Sequence, residues 1–169
     1  MTLKDAASLL IFTPSREYIG QQAENRFQDW MDAHQISYVR IDQEPNTLAL
    51  AFRGIVRRPD FFIHIGSLNA TIAIDVKSRR FDERYENFIV NEDDIQLLRA
   101  FQQQFGNPVW LVLSTTAIQH NTWYWIQLDQ VISDIKPKTS SVKGNQFRPI
   151  RIDQCKTVAI QDGIGRIFF

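Results

Sequence analysis

The chain has 169 residues, 44% of them hydrophobic and 22% charged, and its 19 basic residues balance 19 acidic ones. That length suits one domain with a sizeable core, and a formal charge of zero removes any argument from net charge for a nucleic-acid or membrane partner. Cys155 is the sole cysteine, which excludes an internal disulfide and a thiolate metal cluster. The apolar run 8–12 is too short for a signal peptide, and no stretch approaches the roughly 20 apolar residues that span a bilayer. The sequence therefore reads as a soluble cytoplasmic protein.

Residues 1–12 read as either a short helix or an arm. Thr13-Pro14 predicts a helix start, with Thr13 as N-cap and Pro14 at the first helical position. The helix runs to about His34 on an apolar stripe of Ile19, Ala23, Phe27, Trp30 and Met31. Strands are predicted at 37–41, 47–52, 60–65 and 70–77, followed by a charged, aromatic loop over 78–90. Asn91 caps a second helix, with Glu92, Asp93 and Asp94 in its first turn, where the macrodipole favours acids. Ile95, Leu98, Phe101 and Phe105 form its buried stripe, Gly106 ends it and Pro108 prevents continuation. Residues 109–113 are apolar throughout, as in a central strand covered on both faces, and 122–128 is another strand. Beyond Asp129 the pattern weakens: 137–144 is a polar loop, and short strand-like runs follow at 147–152, 157–160 and 164–169. The order α-β-β-β-α-β plus additions gives an α/β class with a mixed sheet. No repeat or linker interrupts it, so 1–169 reads as one domain, with a core of about 14–128 and C-terminal additions over 129–169.

The candidate site lies in the hairpin. Gly66-Ser67-Leu68-Asn69 is a turn-type break between two apolar runs. A turn centred between Ser67 and Leu68 makes residue numbers that add to 135 face one another, which sets Asp60 opposite Asp75. Directly opposed residues share a face, with β-carbons roughly 5 Å apart. Lys77, two residues along, points to the same side. Two carboxylates so close repel unless neutralised, and a divalent cation is a natural way to hold them. Asp60 and Asp75 are hard oxygen donors suited to magnesium or manganese. Lys77 would stand beside a scissile phosphate, orienting or helping to deprotonate the attacking water, or stabilising charge on the phosphorane. Glu24 follows Gly20 on the helical stripe that includes Phe27 and Met31, where a carboxylate is costly without a partner. Gly20 would let the helix lie close to neighbouring backbone.

At these residues the sequence resembles the PD-(D/E)xK phosphodiesterase superfamily, which has the restriction-endonuclease-like fold. The residues that carry the resemblance are Pro59-Asp60, then Asp75-Val76-Lys77, with Glu24 on the preceding helix. The family core is a four-stranded mixed sheet of α-β-β-β-α-β order, matched here from about residue 14 to residue 114. The helix glutamate followed by the hairpin looks most like small Holliday-junction-resolvase-type nucleases. The resemblance implies a magnesium- or manganese-dependent deoxyribonuclease, an endonuclease of repair, recombination, restriction or mobile-element processing. Asp60, Asp75 and Glu24 would hold the metal and Lys77 would serve the reaction. Many members carry glutamate where Asp75 stands. The superfamily also includes RNA-cutting and inactive members, so RNA as partner and a non-catalytic nucleic-acid-binding module both stay open, as does a homodimer or larger assembly.

Other residues admit two readings each. Arg57-Arg58 and Arg79-Arg80 flank the site and either bind phosphates or solvate a sheet edge. Lys136, Lys138, Lys143, Arg148, Arg151 and Lys156 cluster in the C-terminal third, as a nucleic-acid grip or as a solvated loop. Trp123-Tyr124-Trp125 either stacks bases or, since neighbours in a strand alternate faces, supplies core. His64 shares a face with Asp60 but lies roughly 13 Å along the strand, and reads as a core histidine. Gln96 either approaches the site or is a surface glutamine.

Overall fold

A computed structural model describes residues 14–168. The first helix, α1 (Arg16–Ala33), starts later than Thr13-Pro14 predicts. Ser15 is the cap: its backbone is extended and its side chain accepts from the Tyr18 N–H at 3.1 Å. Thr13 and residues 1–12 lie outside the described residues. Strand β1 (Tyr38–Arg40) follows. Residues 47–52 are not a strand but belong to two short 3-10 turns, Pro45–Thr47 and Leu50–Phe52. Local side-chain bonds win there: Asp42 accepts from the Glu44 N–H at 2.8 Å, and the Thr47 hydroxyl donates to the Glu44 carbonyl at 2.7 Å.

Strands β2 (Phe61–Ile65) and β3 (Ala70–Ser78) form the expected hairpin. Phe61 pairs with Ile74 and Ile65 with Ala70, the register read from the sequence. The turn Gly66–Leu68 closes through Asn69, which sits in the left-handed region at φ 46°. The 78–90 segment is not a loop throughout, since it contains β4 (Phe81–Asp82) and most of β5 (Asn87–Asn91). Helix α2 (Glu92–Phe105) ends at Gly106 with φ 73°, as predicted. Asn91 holds the cap position without a side-chain cap bond, and Phe105 is 44% exposed rather than part of the buried stripe.

Strand β6 (Val109–Ser114) is buried at every residue, and β7 (Thr122–Gln127) follows it. The tail then departs from expectation in three places. Residues 128–134 form helix α3 (Leu128–Asp134), and the polar loop contains β8 (Lys138–Thr139). After β9 (Gln146–Arg151) and β10 (Lys156–Ala159), the run near 164 is a short helix, α4 (Gly165–Phe168), not a strand. Its Ile167 is buried while Gly165 and Arg166 are exposed, which suits a helical turn resting one residue on the core.

Two sheets result. The larger has the order β1-β2-β3-β6-β7-β10, and the smaller β4-β5-β9-β8. In the larger, β3 and β6 run parallel and every other neighbouring pair is antiparallel. The α-β-β-β-α-β core is thus α1, β1, β2, β3, α2 and β6, and the fold is α/β with a mixed sheet and extra C-terminal strands. Each face of the large sheet carries its own core. Phe27, Trp30 and Met31 of α1 pack on Phe61, Ile63, Ile72, Ile74, Val76, Trp123 and Trp125. On the other face, Ile95, Leu98 and Phe101 of α2 pack with Ala73, Leu111, Leu113 and Phe88. Among the described residues no helix is long and apolar enough to cross a membrane.

Candidate functional site

Alternation along β3 decides which side chains meet. Ile72, Ile74 and Val76 point into the α1 core, so Asp75 and Lys77 point to the α2 side. Phe61 and Ile63 of β2 join the same α1 core, which leaves Asp60 on the α2 side with Asp75. The Asp60 carboxylate accepts from the Val76 N–H at 2.7 Å and its own N–H donates to the Ile74 carbonyl at 2.7 Å, pinning it across the hairpin. Asp60 is 8%, Asp75 0% and Lys77 2% exposed, so Asp60 and Lys77 form the floor rather than the rim of the site and Asp75 is sealed behind them.

Above them lies a cleft of about 680 Å³ lined by Asp60, Lys77, Arg57, Arg79, Glu24 and Arg40 among others. Lys77 Nζ lies 2.6 Å from Asp75 Oδ2, and Arg57 Nε lies 3.4 Å from Asp75 Oδ1. Yet neither Asp75 oxygen, nor the Lys77 ammonium, meets a partner with hydrogen-bond alignment. Burial, with the negative charges of Asp75 and Glu24 nearby, pushes the Asp60 carboxyl well above the usual carboxylate range. Burial also raises Glu24, opposed by Arg40, whose Nη2 lies 2.9 Å from Glu24 Oε2.

The sequence marks Asp94 only as an acid in the first turn of a helix. It faces Lys77 Nζ at 3.7 Å, Arg57 Nη1 at 2.9 Å and Arg79 Nη2 at 3.2 Å. Burial alone would raise its carboxyl, but Lys77, Arg57 and Arg79 outweigh it and hold the group below the usual range. Its spacing from Asp75 along the chain gave no sign of this, because the contact depends on how α2 docks on the α2-side face of β3.

The remaining sequence candidates separate clearly. Glu24 reaches the cleft from α1, the opposite face of the sheet from Asp75, and is bound to Arg40. Among the described residues no three acidic, histidine or cysteine side chains come together as an ion cage, so Glu24 is not brought into one ligand group with Asp60 and Asp75. A β-carbon at Gly20 would meet nothing within 4 Å, so this glycine does not serve a close backbone approach. Arg57 and Arg79 line the cleft. Arg58 donates to the Glu44 carbonyl at 3.0 Å and to the Thr47 hydroxyl, bracing the 44–47 turn, and Arg80 is exposed beyond the cleft lining. Lys136, Lys138 and Lys143 are exposed on the small sheet's β8 end and line no part of the cleft.

Arg148 is not the phosphate-binding surface base that the sequence suggests. It is 5% exposed, forks onto both oxygens of Glu92, and donates to the carbonyls of Val131, Ile132 and Ile135. That guanidinium ties α2, α3 and β9 together and is out of reach of a phosphate backbone. Gln96 donates to Glu92 at 2.7 Å and does not line the cleft. His64 is exposed, not core, and its Nδ1 lies 3.4 Å from the Thr71 hydroxyl. Trp123 and Trp125 are fully buried and Tyr124 packs on Phe88 at 5.4 Å, so this trio supplies core and not a base-stacking surface.

The donor set fits a hard divalent ion on physical grounds. Magnesium is commonly held by one or two carboxylates, with water and substrate phosphates completing its shell. Asp60 and Asp75 supply two such carboxylates on one face, and the unaligned oxygens of Asp75 are the atoms an ion would satisfy.

No family model matches the chain, and no curated protein matches it. Among solved structures it is similar to Hjc of Archaeoglobus fulgidus, a Holliday junction resolvase from an archaeal hyperthermophile. The identity is 13% over 88% of this chain and 87% of that one, with a TM-score of 0.47. A likeness of that degree assigns no activity to this chain.

Proposed function

We propose that this chain is a metal-dependent nuclease that hydrolyses phosphodiester bonds in DNA. The observation that carries the reading is the sharing of one sheet face by Asp60, Asp75 and Lys77, with Asp60 and Lys77 on the floor of an arginine-lined cleft and Asp75 buried against Lys77. Asp60 and Asp75 would hold magnesium or manganese, which when bound supplies an activated water and neutralises charge on the phosphate. Lys77 is a fixed positive charge beside Asp75, placed to stabilise charge that builds on a phosphoryl oxygen. Arg57 and Arg79 offer planar forks that suit phosphate oxygens and would align the strand in the cleft. Glu24 belongs to the cleft wall, where with Arg40 it would orient solvent or strand rather than ligate the ion.

A second reading, nucleic-acid binding without turnover, is favoured by one observation. Asp75, Asp94 and Glu24 each already face a protein cation, so the cluster is held together without a metal. Cleavage separates the two readings. Purified protein is incubated with linear, nicked, branched and single-stranded DNA, with magnesium and with chelator. The nuclease reading expects cutting of at least one substrate with magnesium, none with chelator, and none by Asp75→Asn. Binding of the panel with no metal-dependent cutting would establish the second reading instead.

A further inference from the structure

Arg57 bridges two carboxylates. Its Nε lies 3.4 Å from Asp75 Oδ1 and its Nη1 lies 2.9 Å from Asp94 Oδ1. On the other side, Lys77 Nζ lies 2.6 Å from Asp75 Oδ2. Both oxygens of Asp75 therefore face protein cations, and a dication drawn to Asp75 meets one of these cations first.

The two cations differ in freedom. The Lys77 side chain is 2% exposed and belongs to central strand β3. The Arg57 side chain is 43% exposed, in an irregular segment between Gly54, at φ 78°, and Pro59. Its main chain is anchored, since the Arg57 N–H donates to the Leu97 carbonyl of α2 at 3.1 Å. The stem is fixed while the head stands at the cleft wall, where it can turn from a carboxylate to an incoming anion. Guanidinium binds phosphate and carboxylate with the same two-pronged geometry, so a phosphodiester in the cleft competes directly with Asp75 and Asp94 for it. Loss of Arg57 from Asp75 leaves Oδ1 with no facing cation and raises the attraction of that carboxylate for a dication.

We propose that Arg57 is a latch that couples the two ligands of the site: closed on Asp75 and Asp94 it keeps divalent-ion binding weak, and a phosphodiester strand that draws it away opens Asp75 to the ion. The inference rests on the reading of Asp60 and Asp75 as the ion's ligands. It assigns the site a regulation that the ligands alone lack, because the ion binds well only where substrate phosphate is present. By linkage the coupling is reciprocal, so the ion tightens strand binding by the same factor.

Manganese binding by the full chain, measured by isothermal titration, tests it. The titration is run with and without a single-stranded DNA whose phosphorothioate linkages resist cutting. Arg57→Gln should bind manganese about tenfold more tightly than wild type in the absence of DNA, within the usual range of coupling between sites. The DNA should tighten manganese binding about tenfold in wild type and less than about twofold in Arg57→Gln. Arg57→Gln binding manganese no more tightly than wild type, while Asp75→Asn loses binding, would overturn the latch and leave the ion site standing. Manganese binding that survives in Asp75→Asn would overturn the ion site and the latch with it.

Discussion

Arg57 and Arg148 carry the same guanidinium, and burial gives them different work. Arg148 is sealed against Glu92 and three carbonyls, whereas Arg57 stands at a cleft wall with its side chain 43% exposed. Removing one partner of a buried pair strands the other charge, so Glu92→Ala or Arg148→Ala should cost about 3–5 kcal/mol in urea unfolding. The DNA affinity of the folded fraction of Arg148→Ala should stay at the wild-type value; a loss of affinity without a loss of stability would return Arg148 to the binding surface. Glu92 also predicts a pH dependence. The hydrogen bonds from Arg148 outweigh burial and hold its carboxyl below the usual range. A group whose folded pKa is depressed contributes stability above its unfolded pKa and loses it as pH falls through the folded one. The stability of wild type should therefore drop below about pH 4.5, the ordinary glutamate value, and Glu92→Gln, already destabilised, should show a shallower acid limb.

At the scale of elements, the β2–β3 hairpin places Asp60 and Asp75 on one face, and it was legible because turn length and two apolar runs set the register together. Asn69 makes that turn at φ 46°, a conformation that a β-branched residue resists. Asn69→Val should lower stability by about 1–3 kcal/mol, while Asn69→Gly should be near neutral, both read by thermal unfolding. Equal stability of the two variants would mean the turn does not constrain the hairpin. Elements built from short or local interactions were not legible. Residues 47–52 alternate like a strand, but Asp42, Glu44 and Thr47 bend the chain into turns. Helix α3 offers seven residues, too few for a helical period to emerge against a polar background. The site was half legible for the same reason. Asp60, Asp75 and Lys77 follow from one hairpin, but Asp94 joins them only through the docking of α2, and the separation of Glu24 from Asp75 follows from α1 covering the opposite face. Arg148 resembled a surface base because nothing in its neighbourhood along the chain announces Glu92, 56 residues away, as its partner.

For the whole molecule, two cores clamp one mixed sheet and leave its β2–β3 end open as the cleft. The aromatic α1 core, with Phe27 within 5.7 Å of Trp30, Phe61, Trp123 and Trp125, packs that platform closely from below. A rigid floor is what a charge constellation needs if it is to meet a developing charge without reorganising. With a net charge of zero, the strand binding proposed above would rest on the local basic residues of the cleft instead of a global field. The separation of binding from turnover in Lys77→Ala tests this account most directly. DNA affinity, measured with chelator present, should stay within a few-fold of wild type, because Arg57 and Arg79 remain. Turnover with magnesium should fall by about 10² or more, the scale of losing a positioned charge stabiliser, general acid or general base. Undiminished cleavage by Lys77→Ala, with wild type active, would contradict a catalytic centre built on Asp60, Asp75 and Lys77.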